Sequence, residues 1–303
     1  MGIVLNEGLS QISLIFIYAA MAVYTGAFLT FATHLSRLAS EKKKIRTAAT
    51  KLERIGIIVM TLAAVLHGVG VLLRGIAASR VPWANMYEFS ITGSFVVIMI
   101  FLMALAIKDI RLIATFVSGF VLLVLGAATS VFYVEVKSLM PALQSYWLVI
   151  HVMVAILATA FFNIAAALSV AYLLKTAKWV EKSKAKSIAT FRRVLALFPT
   201  PETMERLAYR FNIIGFILWS FTLIAGAIWA ERAWHRYWGW DTKEVWTFII
   251  WTIYAGYLHA NATRGWTGKR SAWLGLIGFL AILFNFTIVN LFFKGLHVYS
   301  GLK

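Results

Sequence analysis

The chain has 303 residues, of which 61% are hydrophobic and only 14% are charged. A soluble domain of this length could not bury so much apolar surface, so most of the chain is expected to lie in lipid. The absence of cysteine excludes disulfides, thiolate metal sites and thiol redox chemistry. The net charge of +17 could indicate a nucleic-acid partner, but the positions of the charged residues along the chain determine whether it does.

Long apolar runs recur along the whole chain, and each is long enough for a membrane-spanning helix of about 20 residues. They predict an all-α polytopic helical bundle that forms one membrane domain, residues 1–303. The eight predicted spans lie near residues 11–34, 55–73, 89–107, 112–132, 147–174, 211–230, 245–262 and 272–293.

The basic residues are distributed unevenly between the two sides of this bundle. Of the 29 lysines and arginines, 21 fall in the first, third, fifth and seventh loops between the spans. The positive-inside rule therefore places those loops in the cytoplasm and both chain termini outside. The charge is thus a topology signal, and we expect no nucleic-acid partner. The longest cytoplasmic loop, 175–210, is predicted to carry an amphipathic helix on the inner leaflet and a basic part that faces solvent or lipid.

Two connecting stretches carry helix-start signals. In the outer loop after the second span, Pro82 breaks the chain, Asn85 can cap a helix, and Glu88 lies in its first turn, where the helix dipole favours an anion. A glutamate at the edge of a span also leaves room for a ligand-facing role. In the cytoplasmic loop, Thr200 followed by Pro201 predicts a helix start just before the sixth span.

Four of the histidines in or next to the spans are candidate site residues. His67 lies inside the second span, where an ionisable residue is a functional candidate, although it could also bond a carbonyl of a neighbouring helix. His151 lies about one turn from the outer surface in the fifth span, and His259 lies roughly 20 Å deep in the seventh. His297 follows the eighth span at the outer surface, where Gly295 is predicted to end the helix.

Residues 231–246, termed here the aromatic segment, connect the sixth and seventh spans on the outside. This segment combines tryptophans with charged groups, a composition suited to holding a flat amphiphilic ring. A haem iron takes an imidazole on each face and the ring needs an apolar wall, so His151 and His297 beside the segment meet that demand. The alternative is an interfacial belt of aromatic residues with two unrelated histidines. External arginines are candidates to pair with the haem propionates: Arg74, Arg80, Arg232 and Arg236.

The order of residues in the aromatic segment resembles the WWD motif of haem-handling membrane proteins. The matching residues are Trp234, Trp238, Gly239, Trp240, Asp241, Lys243, Glu244 and Trp246, followed by Trp251, Tyr254, Tyr257 and His259. Upstream, Val81, Pro82 and the run 85–88 are similar to the outer loop of CcsA/ResC-type proteins of system II cytochrome c biogenesis. Thr242 stands where that family usually has proline. The resemblance covers essentially the whole chain, and the order of the three motifs makes it specific.

The resemblance implies that His151 and His297 ligate haem b at an external site. It also implies that His259 is an axial ligand at a second, deeper site. The other deep ligand would come from a companion subunit of the CcsB/ResB type, with His67 as the candidate within this chain. The haem-binding residues carried over with the aromatic segment are Trp234, Trp238, Trp240, Asp241, Glu244 and Trp246, with Arg74 and Arg232 as propionate partners.

By this resemblance, the chain holds haem at the outer membrane face for thioether attachment to the CxxCH segment of apocytochrome c, as part of a cytochrome c synthase complex. The membrane would be the bacterial cytoplasmic membrane or the thylakoid membrane, with the aromatic segment facing the periplasm, exterior or lumen. Two alternatives stay open. One is a CcmC-type chaperone that delivers haem to a separate carrier, and the other is a membrane transporter without haem.

Overall fold

The computed structural model describes residues 6–38, 43–107, 110–139, 143–183, 185–293 and 295–296. Within these ranges the regular secondary structure is helical and no strand is present. The helices are α1 (Glu7–Leu38), α2 (Lys43–Ala78), α3 (Met86–Ile107), α4 (Ala114–Ser130), α5 (Tyr146–Lys175), α6 (Lys178–Lys182), α7 (Lys186–Leu197), α8 (Pro201–Trp234), α9 (Thr242–Arg264), α10 (Lys269–Phe284) and α11 (Asn290–Phe292). The all-α membrane bundle predicted from the apolar runs is confirmed.

Seven of the described helical stretches are long and apolar enough to cross a membrane, and α9 falls outside that group. Nevertheless α9 has 23 residues, about 34 Å of helix, and lies antiparallel to α8. The Trp219 indole on α8 donates to the Thr247 carbonyl on α9 at 3.1 Å, and the Trp251 indole donates to Ser220 Oγ at 2.8 Å. The helix therefore packs beside α8 within the same bundle as the seven.

The described residues form two large cores that meet along α5, and two smaller hydrophobic clusters. One core joins α1 to α4 with the inner face of α5, and its fully buried residues include Tyr24, Met60 and Phe101. The other joins α5, α8, α9 and α10, with Phe162 stacked on Tyr254 at 3.8 Å between ring centroids. The long pairs α1 with α2 and α5 with α8 form the main contacts within each half. Helices α3 and α5 lie where the two cores meet.

The start of α1 and the end of α10 lie at the same end of the bundle as the aromatic segment. Ser10 on α1 accepts a hydrogen bond from Arg74 at the end of α2. Phe286, just after α10, stacks on Phe89 of α3 and contacts Phe132 edge-on. This end is called the outer end below, following the distribution of basic residues.

Two details of the predicted helix ends are wrong. The helix that starts at Pro201, capped by Thr200 Oγ1, does not lie separately on the inner leaflet, because it continues without a break to Trp234. The amphipathic helix of the 175–210 segment is α7 instead, with Leu195 buried and Arg192 exposed.

The last helix also ends differently from the prediction. The chain leaves the α-helix in a π-helical turn over Asn285–Val289, and α11 ends at Phe292. Phe293 is already extended, with φ −102° and ψ 129°, so Gly295 does not end the helix. A glycine at this position instead allows the backbone to come close to Asp241.

Candidate functional site at the outer end

A deep cleft opens at the outer end between α3, α4, α5, α8 and α9. Its cavity volume is about 270 Å³, close to the lower end of the usual 300–1,000 Å³ of a small-molecule pocket, and the space reaches about 1750 Å³ when the open mouth is counted. Along α5 its wall runs from Leu148 to Asn163, about 22 Å of helix. The walls are mainly apolar, with Phe89, Phe120 and Leu223 among the lining residues. The lining suits a mostly apolar ligand with polar groups at one edge.

His151 forms part of the cleft wall, and α8 holds its ring in place. The imidazole Nδ1 lies 2.9 Å from the Thr222 carbonyl oxygen, which can only accept, so Nδ1 donates. The ring also lies nearly parallel to the Trp229 indole, with 16° between the planes and 5.9 Å between centroids. Because Nδ1 carries the proton, Nε2 carries the lone pair that binds a metal. This geometry is the usual support of a histidine ligand.

The tryptophans of the aromatic segment have different surroundings. Trp238 lines the cleft mouth and contacts Trp240 edge-on, whereas Trp240 is 77% exposed. Trp234 packs edge-on against Trp229 at 4.8 Å and so supports the indole beside His151. Trp246 packs against Phe284 inside the second core. Of these four predicted residues, only Trp238 reaches the cleft, and Tyr237 lines it as well.

The two carboxylates of the aromatic segment cap the start of α9. Asp241 Oδ1 accepts from the Lys243 backbone N–H at 2.9 Å. Glu244 Oε2 accepts from the backbone N–H groups of Gly239 and Asp241 at 2.7 and 3.1 Å. This reciprocal capping box fixes the turn that presents Trp238. Glu244 also lines the cleft, whereas Asp241 does not.

The structure adds Lys243, which the sequence reasoning did not select as a site residue. Its side chain lines the cleft and donates from Nζ to the Asn285 carbonyl and to Asn290 Oδ1, each at 2.9 Å. The Asn285 carbonyl lies in the π-helical turn, and such turns often occur at functional sites. The lysine was visible within the motif, but only the tertiary contact of α9 with the turn reveals its role.

The external arginines lie away from the cleft wall. Arg74 is fully buried and donates to Glu88, Ser10 and the Val134 carbonyl. Arg80 donates to both carboxylate oxygens of Glu88, at 2.5 and 3.1 Å. Glu88 is thus the centre of a buried ion cluster that holds the outer loop.

Neither Arg74 nor Arg232 lines the cleft. Arg232 is exposed at the end of α8 and lies 3.8 Å from Glu231. The outer loop held by the Glu88 cluster does contribute to the wall, through Trp83, Asn85 and Met86.

The structure does not bring the deeper histidines to this cleft. His259 lies on an exposed face of α9, about 25 Å along the helix from Thr242. His67 is fully buried between α1 and α3, with Nε2 2.8 Å from the Ile91 carbonyl and Nδ1 3.4 Å from the Tyr24 hydroxyl. These contacts fit the second of the two roles considered for His67, a histidine bonded to a backbone carbonyl of a neighbouring helix.

His297 lies outside the described residues. The residue before it, Leu296, donates its backbone N–H to Asp241 Oδ2 at 2.7 Å. The chain that leads to His297 is therefore attached to the aromatic segment, close to the mouth of the cleft.

Several buried polar atoms that face the cleft have no hydrogen-bond partner within the described chain. They are Ser90 Oγ, Asn163 Oδ1, Glu244 Oε1 and Asn285 Oδ1. Buried polar atoms are usually satisfied, so unpartnered atoms around one cleft indicate a missing ligand or water. Apolar walls, a supported imidazole and polar groups near the mouth together fit a haem.

The comparison with known proteins agrees with this geometry. Residues 83–297 match the cytochrome C assembly protein family, a range that covers the cleft and the aromatic segment. The chain belongs to the cytochrome c assembly family. Its matched range begins at Trp83 on the cleft wall and ends at His297.

Within the cytochrome c assembly family, the curated relatives are of the CcsA type. The chain is 34% identical over 262 residues to the cytochrome c biogenesis protein CcsA of Prochlorococcus marinus, covering 80% of this chain and 83% of the relative. It is 33% identical over 264 residues to the CcsA protein of Synechococcus elongatus, covering 75% and 81%, and 39% identical over 174 residues to that of Guillardia theta, covering 54% and 58%. The chain is a CcsA-type membrane protein with a role in cytochrome c maturation, and its family implies that it handles haem.

Proposed function

We propose that this chain holds haem b in the outer cleft and presents it for thioether attachment to the CxxCH segment of apocytochrome c. The observation that carries the proposal is His151, whose imidazole lines the apolar cleft with Nδ1 bonded to the Thr222 carbonyl. The backbone bond orients the ring and sets its tautomer, as outer partners of metal-bound histidines commonly do.

The second axial ligand in this proposal is His297. Its predecessor in the chain, Leu296, is bonded to Asp241 at the aromatic segment. Trp229 and Trp238 would flank the ring, and Lys243 lies where a propionate could reach it. This chain's part is to bind and orient the haem and to exclude water around it.

The attachment chemistry belongs to the haem and the client protein. Each client cysteine adds its sulfur to one carbon of a vinyl group and its proton to the other, so the step needs no further oxidant. The client must arrive with reduced thiols, and this chain has no cysteine to reduce them. Another protein must therefore supply that reduction.

The proposal includes a deeper site and a companion subunit. His259 faces outward from α9, so a subunit of the CcsB/ResB type packed against that face can complete its coordination. We favour this partner over His67, whose two ring nitrogens already have partners inside the bundle. In this proposal the cleft faces the periplasm or lumen from the bacterial cytoplasmic or thylakoid membrane, and the distribution of basic residues supports that orientation.

The haem content of the purified protein tests this function. Protein from haem-replete cells is expected to retain, through washing, the Soret and α bands of a low-spin bis-histidine haem. A complex with the companion subunit should contain a second haem, which His259→Ala removes and His67→Gln leaves in place. A wild-type chain that carries no haem would instead favour a transporter without a cofactor.

A glycine opposite His151 provides a second test. A Cβ atom on Gly226 of α8 would lie 2.8 Å from the His151 Cε1 and Nδ1 atoms, so Gly226→Ala must displace the ring. We expect the low-spin haem signal to fall by more than half. Gly126→Ala is the matched control, because a Cβ there meets no atom within 4 Å. Equal spectra for the two variants would contradict the position assigned to His151.

A further inference from the structure

We propose that Asp241 and Lys243 are positioning residues that act on the chain segment 285–296 and so set the position of His297. In this view the aspartate of the aromatic segment does not contact the haem. This inference rests on the proposed function, which identifies His297 as a haem ligand. The contacts that support it all lie within described residues.

Asp241 joins two parts of the chain that are distant in sequence. One carboxylate oxygen, Oδ1, caps α9 through the Lys243 backbone N–H, and the other, Oδ2, accepts from the Leu296 backbone N–H at 2.7 Å. Both oxygens therefore have backbone donors, and the side chain does not line the cleft. A carboxylate is also an unsuitable neighbour for a haem propionate, because the two negative charges repel.

Lys243 makes a second attachment to the same segment. Its ammonium bonds the Asn285 carbonyl at the start of the π-helical turn and the Asn290 side chain at the start of α11. The π-helical turn changes the hydrogen-bond pattern of the helix, so the Asn285 carbonyl can accept from the lysine. Two residues of the aromatic segment, separated by a single position in the chain, thus hold both ends of the stretch that precedes His297.

Gly295 shows how closely the two parts approach. A Cβ atom added at this position would collide with the Asp241 carboxylate. A glycine here allows the backbone to reach the aspartate, so that the next N–H can bond to it. The requirement for glycine therefore comes from this contact and not from a helix cap.

A positioning role for Asp241 and direct binding of haem by Asp241 predict different spectra for its variants. If Asp241 holds His297 in place, its loss should leave haem bound through His151 but without its second axial ligand. We expect Asp241→Ala and Gly295→Ala to retain at least half of the haem while the low-spin fraction falls at least twofold. Exogenous imidazole should restore the low-spin spectrum in both. Asp241→Asn keeps one oxygen to cap α9, but its NH2 group cannot accept from the Leu296 N–H, so its low-spin fraction should fall as well.

Gly295→Ala is the informative variant because it leaves the cap of α9 intact. Loss of haem from this variant without rescue by imidazole would overturn the inference, as would an unchanged low-spin fraction in both variants. Wild-type and His151→Gly protein are measured in parallel. Absence of haem from wild type would count against the proposed function and not specifically against positioning.

If the wild-type protein carries no haem, the positioning role can still be tested by a measurement that needs no haem. The chain contains no cysteine, so cysteines introduced at His297 and at Gly126 can each carry a nitroxide label without background. The distance distribution between the two labels should be narrow in the parent and clearly broader in Asp241→Ala and Gly295→Ala. Identical distributions in all three proteins would refute the positioning role.

Discussion

Replacement of His151 by glycine is expected to abolish the external haem and to lower holocytochrome c yield by about 100-fold or more. The loss should exceed the 10–100-fold effect typical of removing only an outer partner of a metal ligand, because the ligand itself is gone. Glycine leaves a space beside Trp229 that imidazole can enter. Addition of imidazole should therefore restore haem binding and part of the yield.

The measurement is the haem content of purified protein together with the c-type cytochrome content of complemented cells. His235→Gly is a suitable control, because His235 is an exposed histidine at the end of α8 with φ 57°, a conformation that glycine adopts easily. Normal haem spectra from the His151→Gly protein without imidazole would show that this histidine is not a ligand.

Removal of the Glu88 carboxylate is expected to cause the largest loss of stability. Glu88→Ala leaves Arg74, which is fully buried, without its counter-charge. Breaking a buried ion pair on one side typically costs about 3–5 kcal/mol, because an uncompensated charge remains inside the protein. The outer loop should loosen too, since the Ala84 backbone N–H and Arg80 lose their acceptor. Unfolding in detergent, followed by the monodisperse fraction against temperature, measures the effect.

Two further variants determine whether the loss of stability in Glu88→Ala comes from the buried charge. Glu135→Gln changes an exposed glutamate and should leave the unfolding temperature unchanged. The double variant Glu88→Leu with Arg74→Met removes both fully buried charges and should recover much of the lost stability, because only Arg80, which is partly exposed, then loses its partner. A double variant as unstable as Glu88→Ala would indicate that the hydrogen bonds, and not charge burial, dominate.

The sequence predicted the helices well because lipid imposes a simple rule on length and polarity. Each apolar run coincides with a long helix, and even α9, which is less apolar, follows the predicted span. The start of α8 was also predictable, because Thr200 and Pro201 act through local backbone bonds. The end of the eighth span was not, since Gly295 serves a contact with Asp241 that is 54 positions away.

Long-range contacts also limited the prediction of the site. The position of His151 near the outer surface followed from its place in the fifth span, but its bond to Thr222 depends on how α5 packs on α8. Arg74 looked available for a propionate because nothing in its neighbourhood in the sequence reveals that Ser10 and Val134 surround it. The role of Lys243 depends in the same way on a turn 42 residues further along the chain.

The unbroken course of α8 has a mechanical consequence. Its 34 residues form a rod of about 51 Å that begins at the inner end and finishes beside the aromatic segment. Thr222, Gly226 and Trp229, which touch His151, all belong to this rod. A tilt of its inner half would displace all three together, so a force applied at the inner end of α8 would act as a lever on the imidazole at the other end.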